Sequence, residues 1–454
     1  MHKNFVMPLL AIKTRYEMRF VDYFRMEKNI WMGLILCFLS LSVSVDAKEL
    51  ALPLIKVVVK DERQAGPQLR YFNQLDQAGI LLLDQQMNPL QSKASQQFFI
   101  PASTTKLITA LLALRHWGAD YQFKTTFYLT EQDQPTLLVK GYGDPFLVSE
   151  ELAMIAQQLA KRLKHQGITS LAGIELDTSY YQTDLKMPGA GRSDNPYDAI
   201  PSALAANFNT IYIRKTAEGF ESAEPQTPIT KTALKLAKQI RTFKKTSLGR
   251  VQRVNLGADE RLSQTYFAEL LAAFLRLEGL NISEKVEWSV LSEQPRPASL
   301  IYEHRNHLTL DEMIRPMMKY STNFVANQLA LNLSQEVMGG AASAEKVAQT
   351  YHQLLTELFD WQEFTIEEGA GLSRQNRLSP EQLIEVLTAF QPWRHLLPEI
   401  ERDVYAKSGS LLGVSTLAGY LHKESQWYPF AFMINQKVPY RYRNKLAKEL
   451  SDRY

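Results

Sequence analysis

Strand-type sequence stands at both ends of this chain and helix-type sequence fills the middle, an order that few folds accommodate. Ala78 to Asp84 (Ala-Gly-Ile-Leu-Leu-Leu-Asp) reads as a buried strand. Asp403 to Lys407, Leu417 to Leu421 and Trp427 to Ile434 alternate or run apolar in strand fashion. Past 258, helical spacing dominates over about 263–278 before Gly279, 310–320, 324–333, 343–359 and 380–390. Thr309-x-x-Glu312 is a capping box, and Ser379-Pro380 with Gln382 is a helix start. A last helix follows from about 440. Together these predict an α+β core whose sheet joins both ends of the chain.

The first helix is the best defined. Phe98-Phe99-Ile100 leads into Pro101-Ala102-Ser103, after which Leu107, Ile108, Leu111, Leu112 and Leu114 recur at helical spacing up to Trp117, and Gly118 closes the run. From about 120 the texture is strand and turn: Phe123 to Leu129, Thr136 to Lys140, then Gly141-Tyr142-Gly143-Asp144-Pro145. A helix over 150–164 and an irregular stretch over 181–209 come next. We expect an inserted α/β domain over 120–257, splitting a core made of 48–119 and 258–454. Within the insert, Lys231, Lys235, Lys238, Arg241 and Lys245 lie opposite Leu234, Ala237, Ile240 and Phe243 on a basic amphipathic helix. Such a face is either simply solvated or a contact for anionic wall polymer or a membrane surface.

Ile30 to Val45 is apolar, preceded by Lys28 and followed by Asp46-Ala47. This order predicts a secretory signal over 1–47, with Met26 as an alternative start, and export to the periplasm. A retained anchor is the other reading, for which the run is short. The single cysteine, Cys37, falls inside this segment, so the mature chain has no thiol for disulfides, nucleophilic catalysis or thiolate metal sites. Six positive and four negative charges leave with residues 1–47, taking the formal charge from +3 to +1, which gives no whole-molecule argument for nucleic acid.

The chemistry concentrates in three short motifs. Ser103-Thr104-Thr105-Lys106 opens the first helix, and residues three apart share a helical face, so Lys106 reaches Ser103. An ordinary lysine, near 10.4, is a poor base at neutral pH; burial must lower it by roughly three units, about 4 kcal/mol. The helix N-terminus favours an anion at Ser103, whose N–H is a candidate oxyanion donor. Ser343-Ala344-Glu345-Lys346 also matches the pattern, but as a helix cap followed by a solvated lysine. Two Ser-x-Asn triplets occur, Ser193-Asp194-Asn195 and Ser321-Thr322-Asn323. The second, joining two helices, is preferred: Ser321 as proton relay, Asn323 as a hold on the substrate backbone. Lys407-Ser408-Gly409 follows an apolar strand and suits a terminal carboxylate, with Gly409 admitting a ligand to the backbone and the Ser410 N–H as second oxyanion donor.

These three motifs in this order form the signature of penicillin-binding proteins and class A β-lactamases. With Gly141-Tyr-Gly-Asp-Pro145, Met317-Met-Lys-Tyr-Ser-Thr-Asn323, Gly369-Ala-Gly-Leu-Ser-Arg374 and Lys407-Ser-Gly-Ser-Leu-Leu-Gly-Val414, the chain resembles the D-alanyl-D-alanine carboxypeptidase/endopeptidase family, peptidase S13. The resemblance implies an antiparallel sheet flanked by helices, an extra domain between the first two motifs, and attack by Ser103 on peptidoglycan stem peptides without a cofactor or metal. It further implies Lys106 as base, Ser321 and Asn323 as relay and grip, Lys407 and Ser408 on the D-Ala carboxylate, and β-lactams as covalent inhibitors. It carries Arg374 over as a contact for a substrate side-chain carboxylate. Thr322 departs from the usual Asp, and Ser408 and Ser410 from the usual threonines.

Two rivals are a serine β-lactamase, which needs a deacylating base such as Glu367 or Glu368, and a non-catalytic wall-peptide scaffold, which predicts damaged motifs. His304-x-x-His307 reads as a surface pair rather than a metal site.

Overall fold

The computed structural model describes residues 65–454 apart from 132, 241–246, 258 and 294–297. The expected signal segment with Met26 and Cys37 lies outside the described residues, as do Arg241 and Lys245 of the basic helix. No helix among the described residues is long and apolar enough to cross a membrane.

The main sheet is antiparallel throughout. It comprises β1 (Ala78–Leu83), β2 (Pro89–Lys93), β13 (Glu399–Glu401), β14 (Val404–Leu411), β15 (Val414–Lys423) and β16 (Gln426–Ile434), in the order β13-β14-β15-β16-β1-β2. β1 lies beside β16, with Ala78 opposite Ile434, so the sheet joins both ends of the chain. Every residue of β1 is buried, because helices cover both faces. Leu81 and Leu83 face the helical core. Ile80 and Leu82 face α1 (Pro67–Asn73) and the C-terminal helix α10 (Tyr442–Arg453), through Phe72, Leu446 and Leu450.

The helical core is built around α2 (Lys106–Trp117), of which Lys106 to Leu114 are all buried, with α6 (Leu310–Tyr320), α7 (Asn323–Met338), α8 (Ala344–Phe359) and α9 (Pro380–Phe390). The capping boxes of α6 and α9 form as their sequences dictate. In the second Ser-x-x-Lys, Ser343 caps α8, accepting from the Lys346 N–H (3.2 Å), while Lys346 Nζ donates to carbonyls of Gly339 and Ala341.

A second body holds a five-stranded sheet. Its order is β11 (Val286–Trp288), β6 (Ile174–Asp177), β4 (Leu137–Gly141), β3 (Lys124–Thr130), β12 (Ala298–Arg305), parallel among the first three and antiparallel beyond. α3 (Ser149–His165) and α5 (Glu260–Leu277) supply Leu159, Phe267 and Leu271 to its core. A parallel pair, β5 (Ser170–Leu171) with β10 (Asn281–Ile282), extends it. A three-stranded sheet of β7 (Thr210–Lys215), β8 (Phe220–Ser222) and β9 (Val251–Asn255) carries α4 (Lys231–Gln239), the described part of the basic helix, where Lys231 is tied to Glu284 (2.5 Å).

The expected boundary at 257 falls between β9 and α5. The hydrophobic cores do not divide there: α5 packs in the second core, and β12 pairs with β3 from Ala298↔Thr130 to Arg305↔Lys124. The second body returns to the first only after β12.

Polar side chains clamp the two bodies at Gly141–Pro145. The Gly143 carbonyl accepts from Gln328 Nε2 (3.2 Å) and Asn332 Nδ2 (2.9 Å) of α7. A Cβ on Gly143 would lie 2.2 Å from both Asn332 Oδ1 and the Tyr181 hydroxyl, so the position requires glycine. Asp144 accepts from Asn306 Nδ2 and the Phe146 N–H, and burial pushes its carboxyl up to about 6. Buried Glu151 takes both His304 (2.5 Å) and His307. Of the expected surface pair, His304 is buried at 5% exposure while His307 is exposed, and both meet the same buried carboxylate.

Candidate active site

The nucleophile's segment is fixed against the main sheet at two points. Asn435, just beyond β16, brackets Ile100, its Oδ1 accepting from the Ile100 N–H (2.7 Å) and its Nδ2 donating to the Ile100 carbonyl (3.2 Å). The Pro101 carbonyl accepts from Thr104 Oγ1 and from Thr416 Oγ1 of β15, each at 2.7 Å. Ala102 then takes a left-handed conformation (φ 48°), strained for a residue with a Cβ, and Ala102–Thr105 form a short 3-10 turn that runs into α2. Ser103 is half-buried at this bend, and Lys106 begins the helix.

Lys106 is fully buried, and its three donors have three partners: Ser103 Oγ (3.1 Å), Asn323 Oδ1 (2.8 Å) and the Ala370 carbonyl (2.6 Å). Burial lowers its ammonium from 10.5 to about 7, against an opposing pull from the Glu368 carboxylate. An amine with that value is substantially neutral at physiological pH and touches the hydroxyl it would deprotonate.

The loop over 367–374 backs this arrangement. Buried Glu368 accepts from the N–H groups of Ala370, Leu372 and Ser373 and from Asn376 Nδ2, which folds the loop around one carboxylate. Gly371 (φ +82°) passes so close to the nucleophile that a Cβ would lie 1.9 Å from the Ala102 oxygen. Glu368 is thereby spent on holding the loop, and Glu367 accepts from Ser373 Oγ.

Ser321 lies at the joint of α6 and α7 in a left-handed conformation (φ 57°, ψ 40°). Its Oγ accepts from Lys407 Nζ (2.9 Å), which also donates to the Ser408 carbonyl (2.8 Å). The site therefore contains two serine–lysine pairs. Burial, then the charges of Lys106 and Arg443, hold the Lys407 ammonium well below its ordinary value. The Asn323 amide is engaged within the site: its Oδ1 accepts from Lys106 Nζ and its Nδ2 donates to the Tyr197 carbonyl (3.2 Å), so it orients the base. Thr322 makes no capping bond at the start of α7.

The other triplet is a turn. Ser193 Oγ donates to Asp198 (2.5 Å), and Asn195 Oδ1 accepts from the Tyr197 N–H (3.1 Å). Its effect on the site is indirect, since this turn presents the Tyr197 carbonyl to Asn323.

β14 carries Lys407 inward, Ser408 half-buried and Ser410 exposed. Gly409 admits the protein's own backbone: a Cβ there would lie 2.7 Å from the Pro101 oxygen and 2.9 Å from the Ser103 nitrogen. Arg374 is exposed, at the rim, and donates to the Leu412 carbonyl in the β14–β15 turn (2.6 Å). Sequence reasoning missed Arg443 of α10, whose Nη1 donates to the Gly409 carbonyl (2.7 Å) and Ser410 Oγ (2.8 Å), and more weakly to the Thr416 carbonyl (3.4 Å). Among the described residues no group of histidines, cysteines and carboxylates is arranged to hold a metal.

Residues 73–254 and 249–400 match the model of the D-Ala-D-Ala carboxypeptidase 3 (S13) family, well over half of the chain. The chain belongs to that family. It is similar to the D-alanyl-D-alanine carboxypeptidase DacB of Haemophilus influenzae, at 25% identity over 71% of this chain and 78% of the relative. It is also similar to a D-alanyl-D-alanine carboxypeptidase of Actinomadura, at 22% identity over 76% and 75%. Among solved structures, penicillin-binding protein 4 of Haemophilus influenzae superposes with a TM-score of 0.67 at 20% identity, covering 85% of this chain and all of that one. The same protein in complex with a β-lactam gives 0.63 at 19% identity, covering 85% and 98%. The fold is thus the penicillin-binding one, with an antiparallel sheet flanked by helices, and the chain is a serine-type hydrolase of the S13 peptidases.

Proposed function

We propose that this S13 peptidase removes the terminal D-alanine of peptidoglycan stem peptides through an acyl-enzyme on Ser103. The observation that carries the reading is Lys106: fully buried, brought to about 7, and 3.1 Å from the Ser103 hydroxyl. Lys106 as neutral amine takes the Ser103 proton while Oγ bonds to the carbonyl carbon of the penultimate D-Ala. The oxyanion forms against the N–H groups of Ser103 and Ser410. The C–N bond then breaks, and the departing amine receives the proton held by Lys106 through the Ser321 hydroxyl. Water attacks the ester, gives a proton back by way of Lys106, and frees Ser103 and the shortened peptide carboxylate. Lys407 and the Ser408 hydroxyl face the carboxylate of the leaving D-Ala, and Arg374 at the rim meets a side-chain carboxylate of the stem.

The same serine takes β-lactams, in keeping with the β-lactam complex of the Haemophilus relative. We place the enzyme in the periplasm on the leader-like order of residues 28–47; N-terminal sequencing of the exported protein tests this. The mechanism is tested by incubating the protein with labelled penicillin and with a muramyl pentapeptide. Wild type is expected to carry one label and release D-alanine, and Ser103→Ala to do neither. Labelling that persists in Ser103→Ala overturns the mechanism, while rapid release of hydrolysed penicillin favours a β-lactamase. Release of monomers from cross-linked muropeptide dimers reports endopeptidase action at the same site.

A further inference from the structure

Among the described residues the guanidinium of Arg443 has no carboxylate partner and bonds neither Ser103 nor Lys106, yet it is half-buried against the strand that bears Lys407 to Ser410. It reaches there from the first turn of α10, which docks on the opposite face of the main sheet from α2 through Leu446 and Leu450. Burial disfavours its charge, so the position has an electrostatic cost that a neutral strut would not carry.

What Arg443 binds gives the cost a purpose. Its Nη1 lies 2.7 Å from the Gly409 oxygen and 3.4 Å from the oxygen of Thr416, the residue opposite Gly409 in the β14–β15 ladder. The Gly409 carbonyl therefore points toward β15. A trans peptide is planar, with its C=O and N–H directed oppositely. The N–H in the same peptide unit as the Gly409 carbonyl is that of Ser410, so it points to the other edge of β14. The nucleophile's turn packs on the face of β14 at this same residue, where a Cβ on Gly409 would be 2.9 Å from the Ser103 nitrogen. A cation on an amide oxygen draws charge from the nitrogen and strengthens the N–H as a donor, and hydrogen bonds linked in this way reinforce one another. The contact with Ser410 Oγ (2.8 Å) fixes the far end of the same unit.

We propose that Arg443 is a positioning residue for the oxyanion hole: from behind the sheet it fixes and polarises the Gly409–Ser410 peptide so that the Ser410 N–H meets the developing oxyanion. This rests on the acyl-enzyme reading above. It assigns to the C-terminal helix a part in transition-state stabilisation, although no atom of that helix enters the site.

The experiment uses the full mature chain, penicillin as acylating probe, and two readouts: the second-order acylation rate, and the ester carbonyl stretch of the acyl-enzyme by infrared difference spectroscopy with carbonyl-labelled drug. Hydrogen bonds in an oxyanion hole lower that stretch. Arg443→Ala is expected to slow acylation about tenfold, less than the hundredfold or more lost when a donor is removed outright, because the N–H itself remains. Its ester band is expected to move to higher wavenumber. Arg443→Lys, which keeps a cationic donor and guards against a folding defect in the alanine variant, is expected to recover most of the rate and the band position. An ester band at the wild-type position in Arg443→Ala overturns the inference whatever the rate, since a strut lost from the sheet would slow the enzyme without that spectral change. A wild-type protein that forms no ester at all overturns the acyl-enzyme reading and this inference with it.

Discussion

Replacing Lys106 by methionine separates the cost of burying an amine from the chemistry the amine performs. Full burial takes the ammonium from 10.5 to about 7, so between those values the unfolded chain holds a proton that the folded chain has released. The unfolded state binds more protons in that window, and stability therefore rises with pH across it. By linkage, the group costs the folded protein about 4 kcal/mol at pH 7 and about 2 kcal/mol at pH 9. Lys106→Met removes the titration and also the bonds to Asn323 Oδ1 and the Ala370 carbonyl, but that second loss is a constant offset. Wild type should accordingly gain about 2 kcal/mol on the variant between pH 7 and pH 9, measured by urea unfolding of both proteins. The same proton sets the acid limb of penicillin acylation, which should fall about tenfold per pH unit below a midpoint near 7, while the variant is slower by a hundredfold or more. A stability difference that stays flat within about 0.5 kcal/mol, or an acid limb near the 10.4 of an ordinary lysine, refutes the reasoning.

Gly371→Ala combines a left-handed backbone (φ +82°) with a Cβ 1.9 Å from the Ala102 oxygen; it should destabilise by more than about 2 kcal/mol and reduce penicillin labelling, read by urea unfolding and by mass spectrometry. Ser321→Ala leaves Lys407 without its hydroxyl partner and should lower kcat for pentapeptide about a hundredfold with a smaller change in KM. In the clamp between the two bodies, pairing with Glu151 raises His307, whose contribution is then full below the ordinary histidine value and lost as pH rises through the raised one; His307 in turn helps lower Glu151, whose contribution is lost at acid pH. His307→Ala should therefore destabilise more at pH 6 than at pH 8, by thermal unfolding.

What could be read in advance follows from what each residue type betrays. α2 announces itself because a buried helix opening on Pro-Ala-Ser and closing on glycine has no competing reading, and burial of Leu107 to Leu114 is what drives Lys106 inward. The preference for Ser321 over Ser193 rested on context, and the structure puts Ser321 against Lys407 and Ser193 in a surface turn. β12 could not be seen: it is an edge strand, mostly exposed or half-exposed from Ala298 to Arg305, so its sequence shows no clean alternation. β14 was expected to end at Lys407 because Ser-Gly-Ser has little strand character, yet pairing with β15 carries it to Leu411. The Tyr197 and Ala370 carbonyls leave no trace in residue identity, since every residue has one. Arg443 is hidden among Arg441, Lys445 and Lys448, and only the docking of α10 selects it.

Electrostatics links the site's parts more closely than the motifs suggest. Three cationic side chains, Lys106, Lys407 and Arg443, converge on the two strands and two turns around Ser103, and burial works against the charge of each. The carboxylate acting on Lys106 is Glu368, already committed to four donors of its own loop, whereas both charges acting on Lys407 are positive. Such an excess is relieved in two ways. Lys106 can release its proton, which makes it a base and removes one of the influences depressing Lys407. An anion can enter, and a peptide ending in D-alanine brings one as its carboxylate and forms a second as the oxyanion. The arrangement that costs the folded protein stability is thus the one a negatively charged substrate and transition state would satisfy, and for that reason Lys106→Met should lose activity while shedding the cost of the buried charge.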